Sequence, residues 1–184
     1  GRYNFFNFEP PLPLTQKQQK EGLNLLFVGS IHKEKGILEL LHAVRECSNL
    51  NIHLNVCGNF SDNSIKDEID ALSKELGNKV SFLGFVSGPD KTNLYSASDI
   101  LILPSYHEGL PLFIMEALGA GLGIVSTKVG AIPEILDDEM CNWVSVASIS
   151  DMSNAIRNLY SKRELLVAMK KKNKKMSEEY ELKR

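Results

Sequence analysis

Long apolar runs are missing from this sequence. No stretch of its 184 residues approaches the ~18 consecutive apolar positions that a membrane-crossing helix needs. Cysteine is scarce. Cys47, Cys57 and Cys141 have no CxxC spacing and an odd count, which argues against a disulfide framework. Buried thiols in a reducing, cytoplasmic compartment are expected instead. The four histidines, His32, His42, His53 and His107, form no H-x-x-x-H pair, so no metal site is expected. A formal net charge of −2 gives no reason to expect nucleic acid as a partner. Two phosphate-binding signatures are also absent, the P-loop GxxxxGK[ST] and the GxGxxG fingerprint. No internal repeat is visible.

What is present fits one domain with a substantial core, since 43% of the residues are hydrophobic. Residues 1–22 read as a linker following something else: Pro10, Pro11 and Pro13 forbid a helix, and the polar run after Leu14 has no apolar period. Over 23–150 apolar strand-like runs alternate with helix-like ones. The strands are expected at Leu23–Gly29, Leu50–Val56, Val80–Leu83, Asp99–Leu103, Gly123–Ser126 and Trp143–Val146. The helices are expected at Lys35–Cys47, Ser64–Leu76, Pro89–Ala97, Pro111–Leu118 and, as one turn, Ile132–Leu136. Residues 151–184 form a C-terminal helical tail, one long helix or two. Such alternation predicts an α/β fold with a parallel sheet of about six strands and helices on both faces. Ligands of such sheets bind at the carboxyl ends of the strands, where the strand order switches. The loops to inspect are therefore those that follow each strand.

Two of these loops carry chemistry. In PSYHEGLPLFIMEALGAG, Glu108 stands in a Gly- and Pro-containing loop, and Glu116 follows on the first turns of the next helix, with seven residues between them. Carboxylates accept hydrogen bonds from hydroxyls, and a helix N-terminus with free amides at Gly109, Leu110 and Leu112 suits an anion. Pro111 suits the first helical turn. A nucleotide-sugar offers both hydroxyls and an anion. Glu116 sits between Met115 and Ala117, where an unpartnered buried charge would be costly, so it needs a reason to be there. The plainer reading is that both acids favour a helix N-terminal half. The second loop is Gly29-Ser30-Ile31-His32-Lys33-Glu34-Lys35-Gly36. A glycine there lets backbone amides approach a phosphate, and Lys35 at the helix start supplies a point charge. An ordinary turn with a solvated charged face is the alternative.

The ordered series VGS…KG at 28–36, V-x-G at 56–58, F-x-G-x-V at 82–86, A-x-D-I…PS…EG…P…EA…G at 97–121, and Ser126-Thr127 followed by Gly130 and Glu134-Ile135 resembles retaining glycosyltransferases of family 4. It covers Leu23 to Leu136. The resemblance implies one Rossmann-like half of the two-domain GT-B fold, the half that binds the nucleotide-sugar donor. It assigns Glu108 to the donor sugar, Glu116 to the ribose diol and Lys35 to the diphosphate, making Lys35 and Glu108 the catalytic pair. Gly29, Ser30 and Gly58 would line the same crevice. Phe85 and Val86 would lie along the base, and the loop of Gly109, Leu110, Pro111 and Leu112 would offer its amides, which Pro111 itself lacks. His107 would either reach the sugar or cap its loop.

The resemblance further implies transfer of a hexose, from a UDP-sugar first, to a glycan or lipid-linked acceptor, as in polysaccharide biosynthesis. It implies retention at the anomeric carbon and no cofactor. The partner half, which binds the acceptor, would be an N-terminal domain outside this sequence. Many relatives carry Arg where Ser30 stands, which puts more of the diphosphate on Lys35. A non-catalytic binding domain of the same architecture is the rival reading. Finally, seven lysines and arginines lie within 162–175. They read as a solvated helix face or as a surface drawn to anionic lipid heads, which would place the protein at the membrane periphery.

Overall fold

The computed structural model describes residues 22–109 and 112–183. The expected linker, Gly22 excepted, and the loop residues Leu110 and Pro111 lie outside the described residues. In chain order the elements are β1 (Leu23–Val28), α1 (Ile37–Glu46), β2 (Ile52–Cys57), α2 (Lys66–Leu76), β3 (Val80–Gly84), α3 (Gly88–Ser96), β4 (Ile100–Leu103), α4 (Leu112–Ala120), β5 (Gly123–Thr127), α5 (Ile132–Ile135), β6 (Asn142–Val144), α6 (Ile149–Ser161) and α7 (Arg163–Leu182).

Six parallel strands form one sheet in the order β3-β2-β1-β4-β5-β6. Parallel strands are buried on both faces, which is why every residue of β4 and β5 is buried rather than alternate ones. Leu25, Phe27, Leu54, Val56, Ile100 and Ile102 face one core layer, closed by α1, α2 and α6. Leu26, Val28, Leu101, Leu103 and Ile124 face the other, closed by α3, α4 and α5. The three cysteines are buried free thiols.

The chain enters β1 in the middle of the sheet, winds outward to β3, then returns to β4 on the other side of β1. The loops after β1 and β4 therefore leave neighbouring strands in opposite directions and open a crevice between them. The start of β4 is pinned to that of β1, since the Asn24 amide donates to Asp99 Oδ2 at 2.8 Å and the Asp99 amide to the Asn24 carbonyl at 2.8 Å.

The segment expected as a helical tail is two helices that break at Lys162, and both pack on the sheet. Helix α7 crosses the amino edge of β4 and β5, opposite the crevice. Lys170 pairs with Asp99 at 3.2 Å, Lys172 with Asp137 at 2.7 Å and also with Glu139, and Lys174 Nζ donates to the Gly119 carbonyl at the end of α4 at 2.7 Å. Three lysines of the basic run thus hold the helix to the body. Lys162, Lys171 and Lys175 remain exposed. No helix among the described residues is long and apolar enough to cross a membrane.

Asn173 is fully buried, and its side-chain amide donates to the Leu122 and Met140 carbonyls at 2.7 and 3.0 Å. Removing that donor leaves two buried carbonyls without it, each costing about 1–3 kcal/mol. Asn173→Leu should lower unfolding free energy by about 2–4 kcal/mol in urea titrations, with an unchanged transition slope. An unaltered midpoint would mean α7 is not part of the cooperative unit.

Candidate functional site

The loop after β1 becomes a short helical turn at Lys33–Lys35, capped by His32, whose Nδ1 accepts from the Glu34 amide at 3.2 Å. Gly36 then takes φ +72°, which L side chains rarely adopt, and starts α1. A Cβ at Gly36 would stand 2.2 Å from the Pro104 carbonyl oxygen. The absence of one brings the first loop against the loop that leaves β4.

Three contacts tie these two loops. The Tyr106 amide donates to the Glu34 carbonyl at 2.8 Å. The Tyr106 hydroxyl donates to Glu39 on the first turn of α1. Burial, together with that carboxylate, pushes the Tyr106 hydroxyl up to about 12. Lys35 Nζ pairs with Glu108 Oε1 at 2.9 Å, and Ser105 Oγ donates to the same oxygen at 2.6 Å. The Glu108 side chain is only 9% exposed, so its charge is held by named donors rather than by water. Thr127, at the end of β5, donates to the Ser105 carbonyl at 2.6 Å and fixes the loop from beneath. From the far side Gly130 presses on it with φ +56°, where a Cβ would lie 2.0 Å from the Glu108 carbonyl oxygen.

Glu116 projects from α4 toward α3. Lys91 Nζ meets its Oε1 at 2.6 Å and the Tyr95 hydroxyl its Oε2 at 2.8 Å. Burial and the Glu116 charge together push the Tyr95 hydroxyl well above its ordinary value, so it stays a proton donor. Lys91 also stands 5.7 Å from the centre of the Phe113 ring, and a Cβ at Gly29 would touch that ring at 3.8 Å. Glu116, Lys91, Phe113 and Gly29 thus form one wall at the carboxyl ends of β1 and β4. Gly29 is buried and Ser30 exposed beside it. Gly58 follows β2, with its amide on the Gly84 carbonyl at 2.8 Å and its Cα against the Gly29 carbonyl.

Beyond Gly84 an open groove is lined by Leu83, Phe85, Val86, Ser87, Asp90, Asn93 and Leu94. Phe85 is 73% exposed there. His107 and Gly109 are exposed on the crevice loop, and Leu112 is the exposed first residue of α4. Leu110 and Pro111, expected beside them, lie outside the described residues. Glu108, Lys35 and Ser105 therefore form one cluster, and Glu116 forms another with Lys91 and Tyr95. Sequence reasoning missed Ser105, Lys91 and Tyr95. A lysine and a tyrosine four residues apart on a short helix were the available signal, beside a glutamate in an apolar helix that demanded partners. Chemically the crevice offers two carboxylates for hydroxyls and the Lys35 ammonium for an anion, while the Lys91 ammonium is held on Glu116.

Comparison with known proteins gives this geometry a context. Residues 15–176 match the family model described as "Glycosyl transferases group 1". The chain is 32% identical over 141 residues to a D-inositol 3-phosphate glycosyltransferase of Corynebacterium aurimucosum, covering 72% of this chain and 34% of that protein. It is 27% identical over 190 residues to the alpha-galactosylglucosyldiacylglycerol synthase of Streptococcus pneumoniae, covering 96% and 50%. It spans about a third of the length of the first curated relatives it matches. Among solved structures, the C-terminal domain of a glycosyl transferase group 1 family protein (LpcC) from Francisella tularensis superposes with a TM-score of 0.79 at 25% identity, covering 92% of this chain and 93% of that one. HepE of Anabaena, solved with UDP-glucose, superposes at 0.78 with 19% identity over 89% and 46%, a likeness of fold.

The Gly130 contact is testable apart from any ligand. Gly130→Ala forces a side chain into positive φ and onto the Glu108 backbone, which should cost on the order of 3 kcal/mol. Amide hydrogen exchange at 105–109 should rise with it. Full stability with unchanged exchange would show that the loop is not braced from this side.

Proposed function

The chain belongs to the glycosyl transferases group 1 family, and from that premise we propose that it is the donor-binding half of a retaining, family 4 glycosyltransferase. In this reading a hexose moves from a nucleotide-sugar to a glycan or lipid-linked acceptor. The observation that carries it is the convergence of Lys35, Glu108 and Glu116 at the switch between β1 and β4.

Each group has a role that its surroundings support. Glu116 accepts hydrogen bonds from the two ribose hydroxyls. Glu108, fixed by Ser105, accepts from hydroxyls of the sugar. Lys35 has three N–H donors, so one can stay on Glu108 while another meets the diphosphate. As the glycosidic bond breaks, charge grows on the leaving diphosphate, and Lys35 with the amides opening α4 stabilises it without a cofactor. The diphosphate can then assist deprotonation of an acceptor hydroxyl on the same face, which gives retention. The exposed Phe85 and the half-buried Val86 lie along the base. UDP comes first among nucleotides because the Anabaena fold relative was solved with UDP and with UDP-glucose.

A second domain would bring the acceptor. Phe60, Leu83, Phe85, Leu112 and Val146, which follow or end strands on the carboxyl side, keep large apolar side chains in water. Such a rim suits a surface that another domain closes over. The synthase from Streptococcus is named for a glycolipid product, which keeps a lipid-linked acceptor, and hence peripheral membrane work, within this proposal.

Calorimetry of the full chain with UDP, GDP and ADP should give measurable heat, largest for UDP. No heat with any of the three overturns the reading. Glu116→Ala should weaken UDP about thirtyfold, roughly 2 kcal/mol. Glu108→Ala should leave UDP within about twofold and weaken UDP-glucose about tenfold or more. Equal losses for both ligands would reverse the two assignments.

A further inference from the structure

A carboxylate can accept at about four lone-pair positions, two on each oxygen. Glu116 uses one on each: Lys91 Nζ holds Oε1 at 2.6 Å and the Tyr95 hydroxyl holds Oε2 at 2.8 Å. Both donors come from one face of α3, four residues apart. Neither is free to swing away. Tyr95 is fully buried, and the Lys91 ammonium is seated over the Phe113 ring. With a donor fixed to each oxygen, the terminal rotation of the Glu116 side chain, otherwise broad, has one orientation left. That orientation keeps one acceptor position open on each of two adjacent oxygens. A pair of vicinal hydroxyls is the ligand chemistry that fills both, whereas a single hydroxyl fills one.

We propose that Lys91 and Tyr95 are positioning residues that set the Glu116 carboxylate to read a vicinal diol, and so make the site select ribonucleotides over 2′-deoxyribonucleotides. This rests on the donor-binding reading above. Lys91 and Tyr95 touch no ligand atom in it; they act through Glu116. Their removal should therefore erase discrimination at the sugar ring and leave recognition of the phosphates alone.

The test is a ratio of affinities, measured by calorimetry on the full chain with UDP, 2′-deoxy-UDP and UMP. Unaltered protein should bind UDP about tenfold tighter than 2′-deoxy-UDP, the loss of one charged hydrogen bond. Lys91→Met and Tyr95→Phe should each bring that ratio to within about twofold of one, while the UDP-to-UMP ratio holds. Lys91 is partly exposed and Tyr95→Phe keeps the ring, so if one variant fails to fold the other decides. A merely structural role would weaken UDP and 2′-deoxy-UDP alike and keep their ratio, which overturns the proposal. If the unaltered chain binds UDP but does not distinguish 2′-deoxy-UDP, the proposal falls while the donor-binding reading stands. If it binds no nucleotide, both fall.

Discussion

Backbone pressed directly on backbone is the constraint on which the crevice depends. The loop that carries Glu108 has Gly36 against its first residue and Gly130 against its last turn. At both places a single Cβ would overlap a carbonyl oxygen. A Cβ between these segments would stand 2.2 or 2.0 Å from a carbonyl oxygen, so the loops of β1, β4 and β5 would have to move apart, and the 2.9 Å contact between Lys35 and Glu108 is made across the spacing that the glycines allow. The glycines act before any charged group does. They set the distance across which the lysine and the carboxylate then interact.

Charge follows from that geometry. Two low-exposure carboxylates facing one crevice would repel an anionic ligand and each other. Each instead has a lysine within 3 Å, Lys35 for Glu108 and Lys91 for Glu116, and each also accepts from a hydroxyl. The crevice is thus balanced before any ligand arrives, and both carboxylates keep acceptor positions open. At the opposite edge of the sheet the same residue types do another job: Lys170, Lys172 and Lys174 fasten α7 to the floor of the domain. Identical side chains line the crevice at one edge and hold a helix at the other because the strands run parallel and place all their carboxyl ends together.

That division explains what could be read from the sequence. Strand and helix order was legible because period and Gly/Pro punctuation are local; β3 to β5 begin and end within one or two residues of expectation. Glu108, Glu116 and Lys35 stood out because each breaks a local pattern. Their partners did not. Lys91 and Tyr95 sit on a short helix with no strong apolar stripe, and they meet Glu116 only because α3 and α4 cover the same face of the sheet. The basic run that ends in α7 was legible only in part, since Lys162, Lys171 and Lys175 are exposed while Lys170, Lys172 and Lys174 have partners. Seven positive charges in sequence suggest a charged face, but a lysine stem is long enough to carry its ammonium to Asp99, Asp137 or the end of α4.

In the donor-binding reading, the shared lysine gives the site a reason to favour the transition state over the bound donor. Lys35 is held on Glu108 at 2.9 Å. An intact nucleotide-sugar spreads its negative charge over a bridged diphosphate, so the ammonium divides between two anions. Once the glycosidic bond stretches, the leaving oxygen gains charge and draws the ammonium more strongly, while the sugar gains positive character. Glu108, released from part of its ion pair and still anchored by Ser105, then faces the side on which positive charge grows. Both interactions strengthen as the bond breaks, and only interactions of that kind raise the rate of the chemical step.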